Sequence, residues 1–381
     1  MEQIVIAGYG IAALTAADSL RDNGFKGRIV IVGAEAHQPY SRPALSKSAM
    51  TEEGTLTSHL LPPSEHGADE VLSCRAVGID VSKRLIKLSD GQSLTYDGLI
   101  IATGIRPKTM GTNPDLEFTF RNIEDALALR ELLRAKPSVI VIGGGILGME
   151  LASASSAAGS EVTVVSRSKP LTKSLGNELS DLVVSAASSQ GVKFVQPEGA
   201  SVEVSPTDPK LRRVNLADGS WLEAELVITA IGDSPNTEWL EGSGLLINGE
   251  LRIDNRCRVA DNIYAAGDVA VFPLAGELTR LPLWTSAIEQ AKVAAANLLA
   301  VENAPELSFQ PYFWTEQFGL AIKACGPLPV VGEPTVTQGD PALEPALLSW
   351  QSPDGNGTAV SLNYRIPIPK LRALSRVIPE T

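Results

Sequence analysis

The chain has 381 residues, 44% of them hydrophobic and 20% charged, so its composition is that of a folded protein with two or three domains. Its 33 glycines and 25 prolines follow no fixed period, which excludes collagen-like and low-complexity chains. Asp and Glu outnumber Lys and Arg by 44 to 32, and the resulting net charge of -12 argues against nucleic acid and anionic membranes as partners.

The N-terminal residues do not predict an export signal. Glu2 stands where a signal peptide needs positive charge, and the chain runs at once into strand-forming residues. The most apolar stretch, residues 139–152, is interrupted by glycines, and no run reaches the ~18 unbroken apolar residues of a membrane helix. We therefore expect a cytoplasmic protein.

Cysteine and histidine are sparse. Cys74, Cys257 and Cys325 are far apart and form no C-x-x-C pair, so we expect structural thiols and neither a disulfide framework nor a redox-active dithiol. All histidines precede residue 70, which leaves too few ligands for a metal site or partners for a His-based triad. The sequence therefore predicts no metal.

The strongest signal is a repeated pattern of strand, glycine-rich turn and helix. In the first copy a buried strand leads into Gly8, Gly10 and Ala13, and a helical pattern follows. Gly8 permits the tight turn, Gly10 lets a pyrophosphate reach the backbone, and Ala13 keeps the helix close to the strand. The helix N-terminus then offers unpaired N–H groups to the phosphates.

The second copy follows a strand at 138–142 and contains Gly143, Gly145, Ile146, Leu147 and Gly148. One such glycine motif often marks only a tight turn. Two copies, each between a strand and a helix, predict two dinucleotide-binding units.

The residues after the second strand of each unit indicate which nucleotide it binds. In the first unit they include Glu35, whose carboxylate suits the hydroxyl groups of a free ribose. In the second they are Ser166, Arg167 and Lys169, where no acid stands and two cations suit a 2'-phosphate. The alternative is that Arg167 and Lys169 are ordinary solvated loop charges.

Later turns complete the pattern. Residues 96–104 and 226–232 each run from an apolar strand into a small-residue turn, at Thr103 and Gly104 and at Gly232, and each turn can close one nucleotide-binding unit. Another short strand ends in Gly267 and Asp268, whose carboxylate can accept hydrogen bonds from a polyol or ribose. Beyond residue 309, apolar runs alternate with Gly, Pro and Asp turns, which predicts a mainly β third domain.

Together these motifs resemble the two-dinucleotide flavoproteins related to glutathione reductase, and the resemblance covers nearly the whole chain. Its residues are Gly8-Tyr9-Gly10, Ala102-Thr103-Gly104, residues 143–148 with Glu150, and Ala265-Ala266-Gly267-Asp268. Within that superfamily, residues 39–47 and 311–317 are similar to the FAD-dependent ferredoxin reductases of bacterial oxygenase systems, of the putidaredoxin reductase and biphenyl dioxygenase reductase type.

The resemblance implies an α/β fold with two Rossmann-like dinucleotide-binding domains, for FAD and NAD(P)H, and a C-terminal α+β domain that is mainly β. It divides the chain into an FAD-binding domain in two parts, 1–107 and 233–308, an NAD(P)H-binding domain at 108–232, and a C-terminal interface domain at 309–381. That last domain is expected to cover the flavin and to help receive an iron–sulfur protein.

The resemblance also implies roles for single residues. The family positions that hold FAD are occupied by Gly8, Gly10, Glu35, Arg42, Lys47, Arg121 and Asp268. Trp284 and Trp314 match aromatic positions close to the isoalloxazine and the nicotinamide, with core packing as the alternative. Lys47 and Glu150 are the expected catalytic residues, an ion pair beside flavin N5 in which Lys47 stabilises negative charge and Glu150 orients the nicotinamide carboxamide. The alternative places both on the surface.

Two departures from the family pattern affect these expectations. The family commonly has an acid where this chain has Ser166 and Arg167, so we expect NADPH to be used at least as well as NADH. It often has Glu and Asn where this chain has Pro282 and Ser286, which leaves the local flavin contacts open.

The function implied is that of an NAD(P)H-dependent ferredoxin reductase. Hydride passes from NAD(P)H to FAD, and single electrons pass to a [2Fe-2S] ferredoxin that feeds a cytochrome P450 or Rieske oxygenase. The alternatives are an NAD(P)H oxidase or rubredoxin reductase-like flavoprotein, and a redox-sensing interaction flavoprotein. The expected assembly is a monomer or homodimer.

Overall fold

The computed structural model describes residues 1–51, 54–111, 113–274, 276–308, 310–342, 345–351 and 357–376. Its helices are α1 (Ile11–Asp22), α2 (Arg42–Leu45), α3 (Ser48–Thr51), α4 (Ile123–Leu133), α5 (Ile146–Ala157), α6 (Thr172–Leu175), α7 (Asn177–Ser189), α8 (Trp284–Leu298) and α9 (Ile368–Leu374). Short 3-10 turns lie at Leu56–His59, Pro114–Leu116 and Glu238–Leu240.

The strands are, in chain order, β1 (Gln3–Ala7), β2 (Arg28–Val32), β3 (Asp69–Val71), β4 (Ala76–Asp80), β5 (Leu85–Leu88), β6 (Ser93–Thr95), β7 (Gly98–Ile101), β8 (Ile105–Pro107), β9 (Val139–Ile142), β10 (Val162–Val165), β11 (Lys193–Val195), β12 (Ala200–Val204), β13 (Arg212–Leu216), β14 (Trp221–Ala224), β15 (Leu226–Thr229), β16 (Asp233–Pro235), β17 (Leu251–Arg252), β18 (Arg258–Ala260), β19 (Ile263–Ala265), β20 (Ala270–Leu274), β21 (Glu277–Thr279), β22 (Tyr312–Gln317), β23 (Leu320–Cys325), β24 (Thr335–Gly339), β25 (Ala346–Trp350) and β26 (Thr358–Leu362).

The chain divides into two compact units. The first unit comprises Met1–Ser41, Thr57–Arg106 and Ser234–Phe309, and the second comprises Arg42–Leu56, Pro107–Asp233 and Gln310–Thr381. The second unit therefore contains residues that the sequence assigns to both the NAD(P)H-binding and the C-terminal domains. The assignment of ranges to separate cofactor domains stays a prediction.

The first unit is built on a six-stranded sheet of order β18-β19-β7-β1-β2-β3, in which only β18 is antiparallel to its neighbour. Its central strands are continuous apolar runs, and Ile4, Ile6, Ile31 and Leu99 are fully buried. Such runs are typical of parallel strands that are covered on both faces. Helices α1 and α8 pack against each other, and α8 also contacts β7 and β19.

The second unit contains a parallel sheet of order β11-β10-β9-β15, with α5 packed on β9 and β10. A small antiparallel sheet, β12-β13-β14, is inserted before β15. The C-terminal residues form an antiparallel sheet of order β22-β23-β26-β25-β24, and α9 contacts β23 and β26. The predicted fold class, with two Rossmann-like units and a mainly β C-terminal region, is confirmed.

The three cysteines are unpaired and buried. Burial raises the pKa of Cys325 to about 11 and also raises the pKa of Cys257. These two thiols are therefore protonated near neutral pH and are poor nucleophiles. Within the described ranges, no helix is long and apolar enough to cross a lipid bilayer.

Candidate active site and nucleotide-binding loops

The two glycine turns have matching backbone geometry. Gly8 has a φ of +119° and Gly143 a φ of +121°. A Cβ atom on Gly8 would lie 2.0 Å from the carbonyl oxygen of Ala102, and one on Gly143 would lie 2.1 Å from that of Ala230. Both the left-handed conformation and the close approach of two main chains therefore require glycine at these positions.

Gly10 and Gly145 are glycines that the protein itself does not require. They precede α1 and α5 with φ values of -99° and -79°, which any residue can adopt. Within the described part of the chain, no atom lies within 4 Å of a Cβ built at either position, and neither helix start is capped by a side chain. Open space beside free N–H groups at a helix start fits the pyrophosphate of a dinucleotide.

The third motif position differs between the units. A Cβ on Gly148 would lie 2.0 Å from the carbonyl oxygen of Gly143, so α5 approaches its turn too closely for a side chain. Ala13, the matching residue of α1, is fully buried, and the first unit therefore accommodates a methyl group. Ile146 is the first residue of α5, and Leu147 beside it is 36% exposed.

The predicted ribose acid of the first unit lies just beyond β2. Glu35 is half-buried and accepts a hydrogen bond from the hydroxyl group of Tyr40. The phosphate turn packs against the same strand end, because a Cβ on Gly33 would lie 3.0 Å from Cβ of Tyr9. Burial, together with a hydrogen bond to Glu70, raises the pKa of Tyr9 and keeps it a neutral donor.

The corresponding residues of the second unit follow β10 directly. Ser166 adjoins the phosphate turn, since a Cβ on Gly144 would lie 3.0 Å from its Oγ, and that Oγ donates to the carbonyl of Ser168 at 2.6 Å. Lys169 pairs with Asp181 on α7. Arg167 is exposed, and its side chain makes no hydrogen bond or ion pair with any described residue. Of the two predicted cations, Arg167 is therefore the one available to an anion.

The turns that close the two sheets are held differently. The turn at Thr103 and Gly104 is held by Asn236. The backbone N–H of Asn236 donates to the carbonyl of Gly104 at 2.9 Å, and its Nδ2 donates to the carbonyl of Thr103 at 2.9 Å. In return, Thr103 Oγ1 donates to the carbonyl of Asn236 at 2.8 Å. In the second, the carbonyl of Gly232 accepts from the N–H of Lys108 at 3.0 Å. The hydroxyl of Thr103 is thus already engaged by the protein.

Gly267 and Asp268 form a turn in the first unit, and Gly267 lies beside the first residues of α1 and α8. Gly267 has a φ of +85°, and a Cβ there would lie 3.1 Å from Cβ of Ala12 in α1. Its N–H donates to Gln290 Oε1 at 2.8 Å, and Gln290 Nε2 donates to Ser286 Oγ at 2.9 Å. Ser286, where the family often differs, therefore supports the turn through Gln290. Asp268 is half-buried beside that turn.

The two candidate tryptophans are both half-buried. Trp284 is the first residue of α8. Trp314 lies on β22 and stacks on Tyr312, with ring centroids 5.8 Å apart and planes at 23°. Each therefore has a partly exposed ring in its own unit.

Lys47 and Glu150 form a buried ion pair in the second unit. The distance from Lys47 Nζ to Glu150 Oε1 is 2.8 Å, and the two side chains are 9% and 4% exposed. Lys47 Nζ also donates to the carbonyl of Pro43 at 3.0 Å, one turn earlier. Glu150 accepts further bonds from Ser46 Oγ at 2.5 Å and Thr315 Oγ1 at 2.6 Å. These geometries differ from the alternative of a surface lysine and a surface glutamate.

Arg42 and Arg121 also meet in the second unit. Arg42 Nη1 donates to the carbonyl of Arg121 at 3.4 Å, and the N–H of Arg121 donates to Asp125 at the start of α4. The capping box of Asn122 and Asp125 fixes this helix start.

Sequence reasoning assigned no role to several polar residues that contact the candidates, namely Ser46, Asn236, Gln290 and Thr315, or to Gln317, which bonds to Thr315. Ser46, Thr315 and Gln317 lie inside the two segments that resemble ferredoxin reductases, so that resemblance was an available signal. Asn236 and Gln290 had none, because their contacts depend on long-range packing.

The two glycine turns, each between a parallel strand and a helix, are typical of proteins that bind two dinucleotides. The profile of the pyridine nucleotide-disulphide oxidoreductases matches residues 2–296, and the chain belongs to this family. The chain is an FAD-dependent oxidoreductase, and membership of this family implies NAD(H) as its second dinucleotide.

Proteins similar to this chain over most of its length include reductases of oxygenase systems. The chain is 33% identical to an anthranilate 1,2-dioxygenase system ferredoxin–NAD(+) reductase component of Burkholderia cepacia, over 94% of this chain and 90% of that protein. A ferredoxin reductase for the CYP199A2 system from Rhodopseudomonas palustris has a TM-score of 0.86 at 28% identity, covering 95% and 91% of the two chains. Putidaredoxin reductase in its covalent complex with putidaredoxin has a TM-score of 0.85 at 27% identity, covering 95% and 90%.

Proposed function

We propose that this protein is an NAD(P)H-dependent ferredoxin reductase that supplies electrons to an oxygenase. The observation that carries the proposal is the buried ion pair of Lys47 and Glu150. The segment around Lys47, residues 44–48, contains no cysteine. A disulfide reductase relays electrons through a dithiol, whereas this chain has no cysteine pair. The likeness to reductase components of oxygenase systems supports the same reading.

The residues have separate tasks in this proposal. FAD supplies the chemistry that takes two electrons from NAD(P)H and releases them singly. Gly10 and the start of α1 hold its pyrophosphate, with Glu35 at the ribose and Asp268 near the start of α1. Lys47 places a fixed positive charge where negative charge develops, and Glu150 accepts the carboxamide N–H of the nicotinamide. Arg42, Arg121, Trp284 and Trp314 complete the contacts to FAD and nicotinamide.

We propose that the second unit binds the nicotinamide dinucleotide and that NADPH is used at least as well as NADH. Ser166 and Arg167 stand where an acid would repel a 2'-phosphate, and Arg167 is free to pair with that group. Lys169 is engaged by Asp181, so its contribution is smaller. The Burkholderia cepacia relative carries NAD(+) in its name, which makes this preference a property to measure on this chain.

The proposed partner is a [2Fe-2S] ferredoxin, which accepts one electron at a time. The C-terminal region from residue 309 is proposed to help receive it. We further propose a cytoplasmic monomer or homodimer.

The test is steady-state turnover of the purified, FAD-loaded protein with NADPH and NADH and a series of acceptors. A [2Fe-2S] ferredoxin is expected to be reduced much faster than dioxygen or rubredoxin. Faster reduction of dioxygen would favour an oxidase, and faster reduction of rubredoxin a rubredoxin reductase. Slow turnover with every acceptor, together with a long-lived complex of reduced flavin and nicotinamide, would favour a redox-sensing interaction protein. A protein that stays colourless after incubation with FAD would contradict all of these readings.

A further inference from the structure

Glu150 is a charged side chain that accepts hydrogen bonds from donors on two other segments of the second unit. Lys47 and Ser46 lie between α2 and α3, Thr315 lies on β22, and Glu150 itself lies on α5. As whole residues, Ser46, Glu150 and Thr315 are 5%, 3% and 0% exposed. Burying an ion pair costs desolvation energy that an apolar pair would avoid, so its presence points to a role other than stability.

The hydroxyl of Thr315 has a defined direction. Thr315 and Gln317 are two residues apart on β22 and are both buried, while Glu316 between them is exposed. Gln317 Nε2 donates to Thr315 Oγ1 at 3.0 Å, and Thr315 Oγ1 lies 2.6 Å from Glu150 Oε1. Because Gln317 uses one acceptor position of that hydroxyl, its hydrogen is directed to the carboxylate.

Ser46 forms a hydrogen bond with the other carboxylate oxygen of Glu150. Its Oγ donates to Glu150 Oε2 at 2.5 Å. Ser155, a buried serine on the same helix as Glu150, donates instead to the carbonyl of Leu151 at 2.8 Å, four residues earlier. Ser46 thus makes a bond to a charged group that lies far away in sequence.

These bonds leave the carboxylate with one incompletely used oxygen. Oε1 accepts from Lys47 and Thr315, whereas Oε2 accepts from Ser46 alone among the described residues. A carboxylate oxygen has two lone pairs, so Oε2 keeps an acceptor position.

We propose that Ser46 and Thr315 are positioning residues that fix Glu150 so that its Oε2 accepts the carboxamide N–H of the nicotinamide. This inference rests on the proposed function, in which Glu150 contacts that group. Removing one hydroxyl leaves the carboxylate held by Lys47 and the other hydroxyl, and removing both leaves it held by the ion pair with Lys47 alone. Misplacement by about 1 Å is enough to lose an oriented contact.

The experiment measures binding without turnover. The oxidised, FAD-loaded protein is titrated by calorimetry with NAD+ and with 3-acetylpyridine adenine dinucleotide, in which a methyl ketone replaces the carboxamide. The ratio of the two dissociation constants reports the carboxamide contact. We expect the parent to favour NAD+ about tenfold, as a hydrogen bond to a charged acceptor allows. Thr315→Val should reduce the preference about threefold, and Ser46→Ala with Thr315→Val should abolish it.

The controls separate positioning from packing. Thr315→Ser keeps the hydroxyl and should retain the parental ratio. Ser155→Ala and Thr229→Val remove buried hydroxyls of the same unit that do not contact Glu150, and they should also leave the ratio unchanged. If Glu150→Ala abolishes the preference while the Ser46 and Thr315 variants keep it, the positioning role is wrong and the proposed role of Glu150 stands. If Glu150→Ala itself keeps the preference, Glu150 does not contact the carboxamide, and both statements fail.

Discussion

At the scale of single residues, the structure gives Lys47 and Glu150 a geometry from which their proposed roles can be tested. Both are buried and ion-paired, and Lys47 Nζ makes one further bond, to the carbonyl of Pro43. The pair can therefore present a fixed charge at a reacting group without reorganising.

We predict that Lys47→Ala and Glu150→Ala each slow flavin reduction by NAD(P)H about 100-fold while FAD stays bound, because in the proposed site they remove charge beside the reacting group and not at the adenine end. Stopped-flow bleaching of the flavin absorption band measures the rate. Lys292→Ala is the matched control, since Lys292 pairs with Glu289 on an exposed face of α8. Parental rates in both variants of the buried pair would show that it is only structural.

The cofactor preference is a second prediction at this scale. We expect the parent to use NADPH at least as well as NADH, because Arg167 can pair with a 2'-phosphate and no acid repels it. Ser166→Glu with Arg167→Ala should shift the ratio of kcat/KM values towards NADH by roughly tenfold or more, as the loss of one charge-assisted bond implies. Lys173→Ala, which removes an exposed cation on α6, should not change the ratio. A parent that strongly favours NADH would contradict the phosphate-binding interpretation.

At the scale of elements, two positions of the same turn are occupied by glycine for different physical reasons. Gly8 is required by its positive φ and by the carbonyl of Ala102, whereas Gly10 has an ordinary φ and open space around it. We predict that Gly8→Ala destabilises the fold by at least about 2 kcal/mol. Gly10→Ala should leave the melting temperature of the apoprotein within a few degrees of the parent and weaken FAD binding, because its methyl group would occupy the open space proposed for the pyrophosphate.

Thermal unfolding of the apoprotein and FAD titration by fluorescence distinguish these outcomes. The same contrast is available in the second unit, where Gly145→Ala should raise the KM for NAD(P)H and leave FAD bound. Equal losses of stability in Gly8→Ala and Gly10→Ala would remove the argument that Gly10 is reserved for a ligand.

The sequence was informative where local rules decide the structure. The buried strands, the glycine turns at Gly8 and Gly143 and the helix starts after Gly10 and Gly145 follow from local periodicity and backbone sterics, and the fold class was predicted correctly. The hydroxyls of Ser46 and Thr315 could not be placed on Glu150 in this way, because their contacts join residues more than a hundred positions apart. The pairing of Lys169 with Asp181 was also not predictable, since it depends on how α7 packs beside the loop.

At the scale of the whole molecule, the charge distribution is uneven. The protein has a net charge of -12, yet residues 365–376, here called the C-terminal basic segment, contain no acid. Arg365, Lys370, Arg372 and Arg376 of this segment are all exposed. A cationic surface on an acidic protein can attract an acidic partner locally while the rest of the surface repels it.

We predict that this segment helps dock an acidic ferredoxin. Lys370→Glu with Arg372→Glu should raise the apparent KM for ferredoxin about tenfold at low ionic strength, and the difference from the parent should shrink at ~0.15 M salt, where the Debye length is ~8 Å. Arg372 also lies near Cys325, so Arg365→Glu with Lys370→Glu provides a second variant that leaves this contact intact. Lys26→Glu with Lys193→Glu makes the same change in net charge at two exposed lysines elsewhere and should have a much smaller effect. If the segment variants and this control raise the KM equally, the attraction depends on net charge alone. If neither segment variant changes the KM at low salt, the segment is only a solvated edge of the C-terminal sheet.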